Sequence, residues 1–328
     1  MEPAPTWKRE LASALRDPDL LIDQLGLPGE LREPARRTAQ LFPFVCPQSF
    51  ISRMRHGDPS DPLLRQVLPL GEEETDPPGY SDDPVGDAEA TAAAGLLRKY
   101  EGRALLITTG SCAINCRYCF RRHFPYETVP RGVDAWESSL DEIRRDTSLR
   151  EVILSGGDPL VLSDHPLKRL LRSIESIEHV RRLRVHSRLP IVLPSRVTDE
   201  LLTTLRESRL TPWFVVHANH PAELSGDCAQ ALERFVDAGI PVLNQAVLLR
   251  GVNDDERVLS ELCERLIELR VQPYYLHQLD RVRGAAHFHV PEERGLEIVE
   301  ALRKTIPGYA VPKFIREVPG APYKVEIR

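Results

Sequence analysis

The chain has 328 residues, of which 28% are charged and 41% hydrophobic, and its formal net charge at pH 7 is −6. This composition is typical of an ordinary soluble protein with a sizeable core, and no run approaches the eighteen apolar residues of a membrane-spanning helix. The acidic balance argues against a nucleic-acid partner, which normally meets a basic patch. Six cysteines and no apolar signal segment predict a cytoplasmic protein without disulfides.

The first hundred residues predict an N-terminal extension, helical and irregular, over 1–100. Two short helices are expected before about residue 45, the first marked by Leu11, Ala14 and Leu15. Residues 43–86 are rich in proline and acidic residues, which predicts turns and extended connections rather than a sheet. An alanine- and leucine-rich run at 90–97 predicts a small helix that leads into the core.

From residue 104 the pattern changes to apolar strands that alternate with amphipathic helices. Six strands are predicted, at 104–107, 151–154, 183–186, 213–217, 242–249 and 273–278. Helices are predicted between them, at 135–146, 166–174, 199–207, 229–238 and 255–269. Alternation of this kind gives parallel strands joined by right-handed crossovers, so we predict an α/β fold, a partial (βα)6 TIM-like barrel. The barrel is expected to occupy 101–290, with a C-terminal segment at 291–328.

Three cysteines follow the first predicted strand. Cys112, Cys116 and Cys119 have the spacing C-x3-C-x2-C, which can hold three irons of a [4Fe–4S] cluster and leave the fourth iron open. His123 could instead complete a Cys3His zinc site, and that alternative stays open at this point. The segment resembles the signature of the radical SAM superfamily, in which the open iron binds S-adenosylmethionine. Cys263 lies on the apolar face of a predicted helix and is expected in the core.

Polar residues and glycines follow the other predicted strands at the same end. Gly156-Gly157-Asp158 follows the second strand, Arg188 the third and His217 the fourth, while Asp280 ends the sixth. Because functional groups of barrels gather at the carboxyl ends of strands, these residues are expected to meet. The Gly-Gly-Asp segment is interpreted as a backbone edge to which the amino and carboxylate groups of a ligand hydrogen-bond.

The stretch from Arg103 to Lys324 resembles the lysine 2,3-aminomutase family, radical SAM enzymes that also use pyridoxal 5′-phosphate. Matching segments lie in the right order at 103–108, 112–122, 154–160, 244–254, 273–280 and 319–324. The resemblance implies a radical SAM barrel with a short C-terminal segment that carries the pyridoxal phosphate lysine. It also implies an isomerase that moves the α-amino group of L-lysine to the β-carbon.

The same resemblance implies a role for each matching residue. Three cysteines would ligate the cluster: Cys112, Cys116 and Cys119. Residues implied to contact S-adenosylmethionine are Gly156, Gly157, Asp158 and, near that cofactor, Gln245. Lys324 is implied to form a Schiff base with pyridoxal phosphate, whose phosphate group Arg103 would contact. Substrate contacts are implied for Arg121 with the α-carboxylate, and for Asp280 and Glu317 with the ε-ammonium group.

Several departures from the free-lysine enzymes resemble the elongation factor P subfamily, which makes (R)-β-lysine for attachment to that translation factor. Glu317 replaces an aspartate, and Gly320-Ala321-Pro322-Tyr323 replaces a glycine run. Asp255 stands where those enzymes have a cysteine, so no zinc site is expected. The implied partners are L-lysine, elongation factor P with its lysyl ligase, and an external electron donor; a homo-oligomer stays open.

Other functions remain to be weighed against this one. A free L-lysine 2,3-aminomutase in β-lysine metabolism differs only in the fate of its product. A glutamate aminomutase would set Asp280 and Glu317 against an anionic side chain. A radical SAM enzyme that acts on RNA would be expected to be basic. A zinc or iron–sulfur binding module would leave Lys324 unexplained.

Overall fold

The computed structural model describes residues 5–129 and 132–328 of the chain. Within these residues, no helix is both long enough and apolar enough to cross a membrane. The chain begins with helices α1 (Thr6–Ala12), α2 (Pro18–Leu25) and α3 (Arg32–Leu41). The prediction of two helices in this region was wrong, because α2 is a separate helix. The Asp17 side chain caps its first turn, and Gly26 ends it in the left-handed conformation with φ of 62°.

The segment between these helices and the sheet contains short helices α4 (Gln48–Ile51) and α5 (Pro62–Arg65). The predicted helix at 90–97 is wrong, since the chain forms strands β1 (Thr91–Ala93) and β2 (Leu96–Leu97) there. Gly95 has φ of 78°, which turns the backbone so that β1 and β2 pair antiparallel. β2 then pairs with the first barrel strand and buries both leucines, a burial that outweighs the helix propensity of the run.

The remaining strands continue one sheet in chain order: β3 (Arg103–Ile107), β4 (Glu151–Ser155), β5 (Arg182–His186), β6 (Thr211–Val216), β7 (Val242–Val247), β8 (Gln272–His277), β9 (Lys313–Arg316) and β10 (Val325–Glu326). Neighbouring strands from β3 to β9 are parallel, and β10 is antiparallel to β9. The predicted strands correspond to β3 through β8, so the six-unit barrel is confirmed. β9 and β10 were not predicted.

Helices follow the barrel strands: α6 (Glu137–Arg145), α7 (Asp164–Glu175), α8 (Leu189–Val192), α9 (Asp199–Arg206), α10 (Asp227–Asp237), α11 (Glu256–Glu268) and α12 (Glu292–Thr305). Cys263 is 2% exposed on α11, which confirms its place in the core. Most buried apolar residues form one cluster that reaches from Trp7 to Phe314, and two smaller clusters include Tyr118 and Ile107. The division of the chain at residues 100 and 290 stays a prediction.

The two faces of the sheet differ in chemistry. In β3, Ala104 and Leu106 are fully buried, whereas Arg103 and Leu105 alternate with them and line a cavity. The same alternation places Arg184 and His186 of β5 at the cavity. A closed eight-stranded barrel fills its interior with branched apolar side chains. Here the inner face carries charged and polar groups, so the interior contains a binding cavity.

Candidate active site

The cavity inside the sheet has a volume of about 840 Å³. This volume lies in the range of sites that hold drug-sized ligands and cofactors. The residues predicted to form the site all line it: Arg103, Cys112, Cys116, Cys119, Arg121, Gly156, Gly157, Asp158, Gln245, Asp280, Glu317 and Lys324. The structure therefore brings together residues that are separated by more than two hundred positions in the chain.

The three cysteines lie on a loop after β3 that the N-terminal extension holds in place. Arg117, inside this loop, is fully buried and makes two bonds of 2.7 Å to the carboxylate of Glu73. The Asn115 side chain donates to the carbonyl oxygen of Pro43 at 2.8 Å, and the Arg117 backbone N–H donates to that of Gln66 at 2.9 Å. Sequence reasoning gave the extension no role, and these contacts give it one.

His123 is not among the residues that line the cavity with the cysteines. Its Nε2 atom lies 3.2 Å from the carbonyl oxygen of Arg283. Within the described residues, no group of three or more histidine, cysteine or acidic side chains is arranged to hold a single metal ion. Three cysteines on one loop at a cavity suit a cluster larger than one ion, because its irons lie apart and each takes one thiolate.

The Gly-Gly-Asp segment packs directly against the cysteine loop. The Gly157 N–H donates to the carbonyl oxygen of Thr109 at 2.7 Å, and the Asp158 N–H donates to that of Ser111 at 2.8 Å. Both of these N–H groups are used within the chain, so a ligand's amino group would meet the carbonyl oxygens of this edge, and that contact stays a prediction. A Cβ atom on Gly157 would lie 2.3 Å from the Ser111 oxygen, so the glycine permits a close backbone approach.

Gly157→Ala is expected to destabilise the chain and to reduce iron uptake by the cysteine loop. The new methyl group would push on the Ser111 backbone, and overpacking of this kind costs about 1–3 kcal/mol. Thermal unfolding and iron content of the reconstituted protein measure both effects. Gly308→Ala is the matched control, because nothing lies within 4 Å of its added Cβ. Equal melting temperatures and iron contents for the two variants would contradict the packing argument.

Asp158 fixes the chain that follows β5. Its carboxylate is 4% exposed and accepts from the Ser187 hydroxyl and the Arg188 N–H, both at 2.7 Å, and from the Leu160 N–H at 3.0 Å. Burial raises the pKa of Asp158 to about 6. These bonds leave the carboxylate little capacity for a cofactor, so its first effect is to position Arg188.

Arg103 presents a positive charge to the cavity. Within the described residues it makes no ion pair, and its guanidinium lies over the ring of Tyr100, 5.2 Å from the centroid. A guanidinium that a carboxylate does not neutralise suits a phosphate group, which it can bind with two parallel hydrogen bonds. This arrangement fits a phosphorylated cofactor such as pyridoxal phosphate.

Lys324 lies just before β10, and the β9–β10 hairpin folds it back onto Glu317. The Lys324 ammonium group donates to the Glu317 carboxylate, which also accepts from the Tyr100 hydroxyl at 2.5 Å. Lys99 lies 3.8 Å from the same carboxylate. Burial alone would raise the pKa of Glu317, but Lys324, Tyr100 and Lys99 outweigh burial and lower it.

Asp280 presents a second carboxylate to the cavity, beyond the end of β8. Within the described residues, its side chain has no hydrogen-bond partner. Burial raises the pKa of Asp280 to about 7, and the nearby charge of Lys324 only partly offsets burial. A carboxylate at a cavity that none of the described groups binds is suited to a cationic ligand.

Arg121 faces the cavity but is paired on one edge. Its Nε donates to Asp87 at 2.6 Å, and its Nη1 lies 3.4 Å from the Ser155 hydroxyl. Lys99 lies 2.7 Å from the other oxygen of Asp87. In the described part of the chain, no group bonds the Nη2 atom of Arg121, so this nitrogen can bind a carboxylate ligand.

Several residues at the site were not predicted as site residues. Asp87 and Lys99 come from the extension, whose sequence shows no motif. His186 and His277 line the cavity from β5 and β8, and their Nε2 atoms are buried without a partner in the described chain. Successive side chains of a strand alternate between the two faces of the sheet, and this alternation could have identified the histidines. It places them on the same face as Arg184 and Tyr275.

Gln245 reaches the cavity from an irregularity in the sheet. The pairing of β7 with β8 shifts between Asn244 and Gln245, where Asn244 opposes Pro273 and Gln245 opposes Tyr275. A bulge of this kind re-aims a side chain and is frequent beside active sites. In the described residues, the Gln245 amide makes no side-chain hydrogen bond, which leaves it available to a ligand.

Comparison with known proteins agrees with this site. The family model of the Radical SAM superfamily matches residues 106–263. An L-lysine 2,3-aminomutase from Haemophilus influenzae is 43% identical over 97% of this chain and 94% of that protein. One from Escherichia coli is 44% identical over 98% and 94%. One from Clostridium subterminale is 34% identical over 98% of this chain and 77% of that protein.

Proposed function

The chain belongs to the lysine 2,3-aminomutase family of radical SAM enzymes, and we propose that it converts L-α-lysine to (R)-β-lysine for attachment to elongation factor P. The family assignment makes it an isomerase. The observation that supports lysine as the substrate is the set of charged groups at one cavity. Arg121, Asp280 and Lys324 line the same space as the three cysteines, and among the described residues the Arg121 Nη2 atom and the Asp280 carboxylate have no partner.

Radical SAM lysine 2,3-aminomutases use a [4Fe–4S] cluster, S-adenosylmethionine and pyridoxal 5′-phosphate. When bound, these groups supply the hydrogen abstraction and nitrogen migration that acid–base side chains cannot perform. In our proposal Cys112, Cys116 and Cys119 hold the cluster, and Lys324 with Arg103 holds pyridoxal phosphate. The Gly156–Gly157 backbone and Gln245 line the space for S-adenosylmethionine.

The chain's own residues then orient the substrate. Arg121 donates from Nη2 to the α-carboxylate of lysine, and Asp280 accepts from the ε-ammonium group at the other end. Holding both ends fixes the β-carbon in a single orientation, which removes much of the entropic barrier. Engaged with the cofactor, Lys324 would no longer pair with Glu317, and the Glu317 carboxylate would then be available to the substrate ammonium group.

The link to elongation factor P rests on the residues that resemble that subfamily. Glu317 is one methylene longer than aspartate, and Gly320-Ala321-Pro322-Tyr323 precedes Lys324. A free-lysine aminomutase shares the site and differs in what receives the product. We place the protein in the cytoplasm, where its free cysteines stay reduced.

The proposed function also includes the partners of the reaction. A low-potential one-electron donor must reduce the cluster, and the lysyl ligase must consume β-lysine. The decisive experiment supplies reconstituted enzyme, reductant, S-adenosylmethionine, pyridoxal phosphate, L-lysine, ATP, the ligase and elongation factor P. The modified factor is then hydrolysed, and the released isomer of lysine is identified by chiral chromatography, because α-lysyl and β-lysyl groups have equal mass. Addition of one β-lysyl group supports the proposal. Release of β-lysine that the ligase does not transfer would favour the free-lysine enzyme.

Asp280→Asn is expected to raise the KM for lysine at least about tenfold, since a charged hydrogen-bond partner of the ε-ammonium group is lost. In the wild type, Asp280 is ionised above pH 7 and protonated below it. The value of kcat/KM should therefore fall as the pH falls below about 7, and the variant should lose this dependence. Steady-state kinetics between pH 6 and about 9 measure both effects.

The same substitution provides a control that does not depend on activity. The pKa of Asp280 is raised from an ordinary value of 3.8, so the folded chain binds this proton more tightly than the unfolded chain. Ionised Asp280 therefore destabilises the fold as the pH rises from about 4 to 7. Asp280→Asn should melt at a higher temperature than wild type at pH 8 and not at pH 4. An unchanged KM with this stabilisation present would refute the substrate contact.

A further inference from the structure

The guanidinium group of Arg188 is held on several sides. Its Nη2 atom donates to the side-chain oxygen of Gln66 at 2.7 Å and to the carboxylate of Glu223 at 2.9 Å. The group lies over the rings of Tyr118 and Phe50, 5.7 and 5.5 Å from their centroids. The residue is 7% exposed. Its position is therefore fixed by the chain before any cofactor binds.

The backbone at Arg188 is fixed as well. The Asp158 carboxylate accepts from the Arg188 N–H at 2.7 Å, at the point where the chain leaves β5. Glu223 is fully buried and is itself held, because its carboxylate accepts from the Asn219 N–H at 2.9 Å and the His220 N–H at 3.1 Å. Both acids thus belong to a rigid frame around one arginine.

The other terminal nitrogen of this group contacts a cysteine of the cluster motif. Arg188 Nη1 donates to the Sγ atom of Cys116 at 2.7 Å. Glu223 and Gln66 bind Nη2, the other terminal nitrogen. The Cys116 sulfur therefore contacts the guanidinium group itself, and the Glu223 carboxylate lies on the far side of that group. A positive donor at the sulfur of a cluster ligand changes the energy of the cluster, because hydrogen bonds to sulfur and nearby charge set its reduction potential.

We propose that Arg188 is a positioning residue that raises the reduction potential of the cluster through its hydrogen bond to Cys116. The inference rests on the proposed function, since it needs the cluster. One electron passes from a low-potential one-electron reductant to the cluster, which changes from [4Fe–4S]²⁺ to [4Fe–4S]⁺ without loss of a ligand. The added negative charge strengthens its attraction to the fixed guanidinium, so Arg188 stabilises the reduced form more than the oxidised form.

The test is a redox titration of the reconstituted protein, in which the EPR signal of the reduced cluster is followed against potential. Arg188→Gln alone would leave Glu223 as a buried unpaired charge, which is strongly destabilising. The principal variant is therefore Arg188→Gln with Glu223→Gln. Glu223→Gln alone is the second, because Arg188 then keeps its hydrogen bonds to Gln66 and Cys116. Arg234→Gln is the matched control, since Arg234 is a surface arginine paired with Asp199.

The two variants should shift in opposite directions. The double variant loses the cation at the sulfur, so its midpoint potential should become more negative than that of wild type. Glu223→Gln loses the anion behind the cation, so its potential should become less negative. The midpoint potential of Arg188→Lys should lie between those of wild type and the double variant. Lysine keeps the positive charge but lacks the two terminal nitrogens of the guanidinium group. A purely structural role for Arg188 would not produce shifts of opposite sign.

Iron content separates the ways in which the inference can fail. Wild-type protein that takes up no cluster would overturn the proposed function and this inference with it. Full clusters in wild type and in both variants, at equal potentials, would overturn this inference alone. Loss of the cluster from the double variant, with its melting temperature unchanged, would also overturn it, because Arg188 would then hold the cysteine loop rather than set the potential.

Discussion

Lys324→Ala is expected to abolish aminomutase activity, by about a thousandfold or more, and to remove the absorbance of bound pyridoxal phosphate. Lys324 supplies the amine that would bond this cofactor. Lys99 also lines the cavity, but its ammonium group is paired with Asp87 at 2.7 Å, so we expect that it does not replace Lys324. Arg103 would still attract the phosphate group but could not form a bond. Absorbance spectra after gel filtration and chromatography of the products measure the two losses.

The fold of this variant should survive. Glu317 keeps its hydrogen bond from the Tyr100 hydroxyl and keeps Lys99 at 3.8 Å, so its carboxylate is not left without a partner. The cluster should remain, and slow cleavage of S-adenosylmethionine should continue, because the cysteines do not contact Lys324. Lys304→Ala is the control, since Lys304 is an exposed lysine on α12. Aminomutase activity retained by Lys324→Ala would refute the role of this lysine.

Cys112→Ala is expected to remove the cluster, and with it both the cleavage of S-adenosylmethionine and the formation of β-lysine. A [4Fe–4S] cluster held by only two thiolates loses much of its binding energy, so iron content should fall from about four atoms per chain to below about one. Burial raises the pKa of Cys112 well above its ordinary value, so cluster assembly must displace its thiol proton. Iron analysis and visible absorbance after anaerobic reconstitution provide the measurement.

Cys263→Ala separates the motif from the other cysteines. Cys263 is 2% exposed on the core side of α11 and is not among the residues that line the cavity. Its replacement should cost a little stability and leave iron content and activity at the wild-type level. A full iron complement in Cys112→Ala, or its loss in Cys263→Ala, would place the cluster elsewhere.

The barrel could be predicted from the sequence because its strands are short apolar runs between strongly periodic helices. The cysteine spacing and Lys324 could likewise be found, since each belongs to a motif of a few adjacent residues. β9 and β10 could not, because β10 has only two residues and forms only by pairing with β9. The alanine-rich run at 90–97 was misassigned because burial against β3 outweighs local propensity.

The partners of the site residues were beyond prediction for a different reason. Arg121 is paired with Asp87, and Arg188 with Glu223, across 34 and 35 positions of sequence. No local pattern marks such pairs. The Gly-Gly-Asp segment was correctly placed at the site, but its glycines permit a close approach to Thr109 and Ser111. The carbonyl oxygens of these two residues accept the Gly157 and Asp158 N–H groups. That close approach depends on two loops that meet only in the folded chain.

The central claim is that this cavity moves the amino group of lysine from C2 to C3. The most direct measurement incubates reconstituted enzyme, reductant, S-adenosylmethionine and pyridoxal phosphate with L-lysine labelled with ¹³C at C3 and ¹⁵N at the α-amino group. We predict that NMR shows the label nitrogen bonded to ¹³C3 with the wild-type chain, and no such coupling with Lys324→Ala. The account would be contradicted if the cluster and pyridoxal phosphate were both bound and the labelled nitrogen remained on C2.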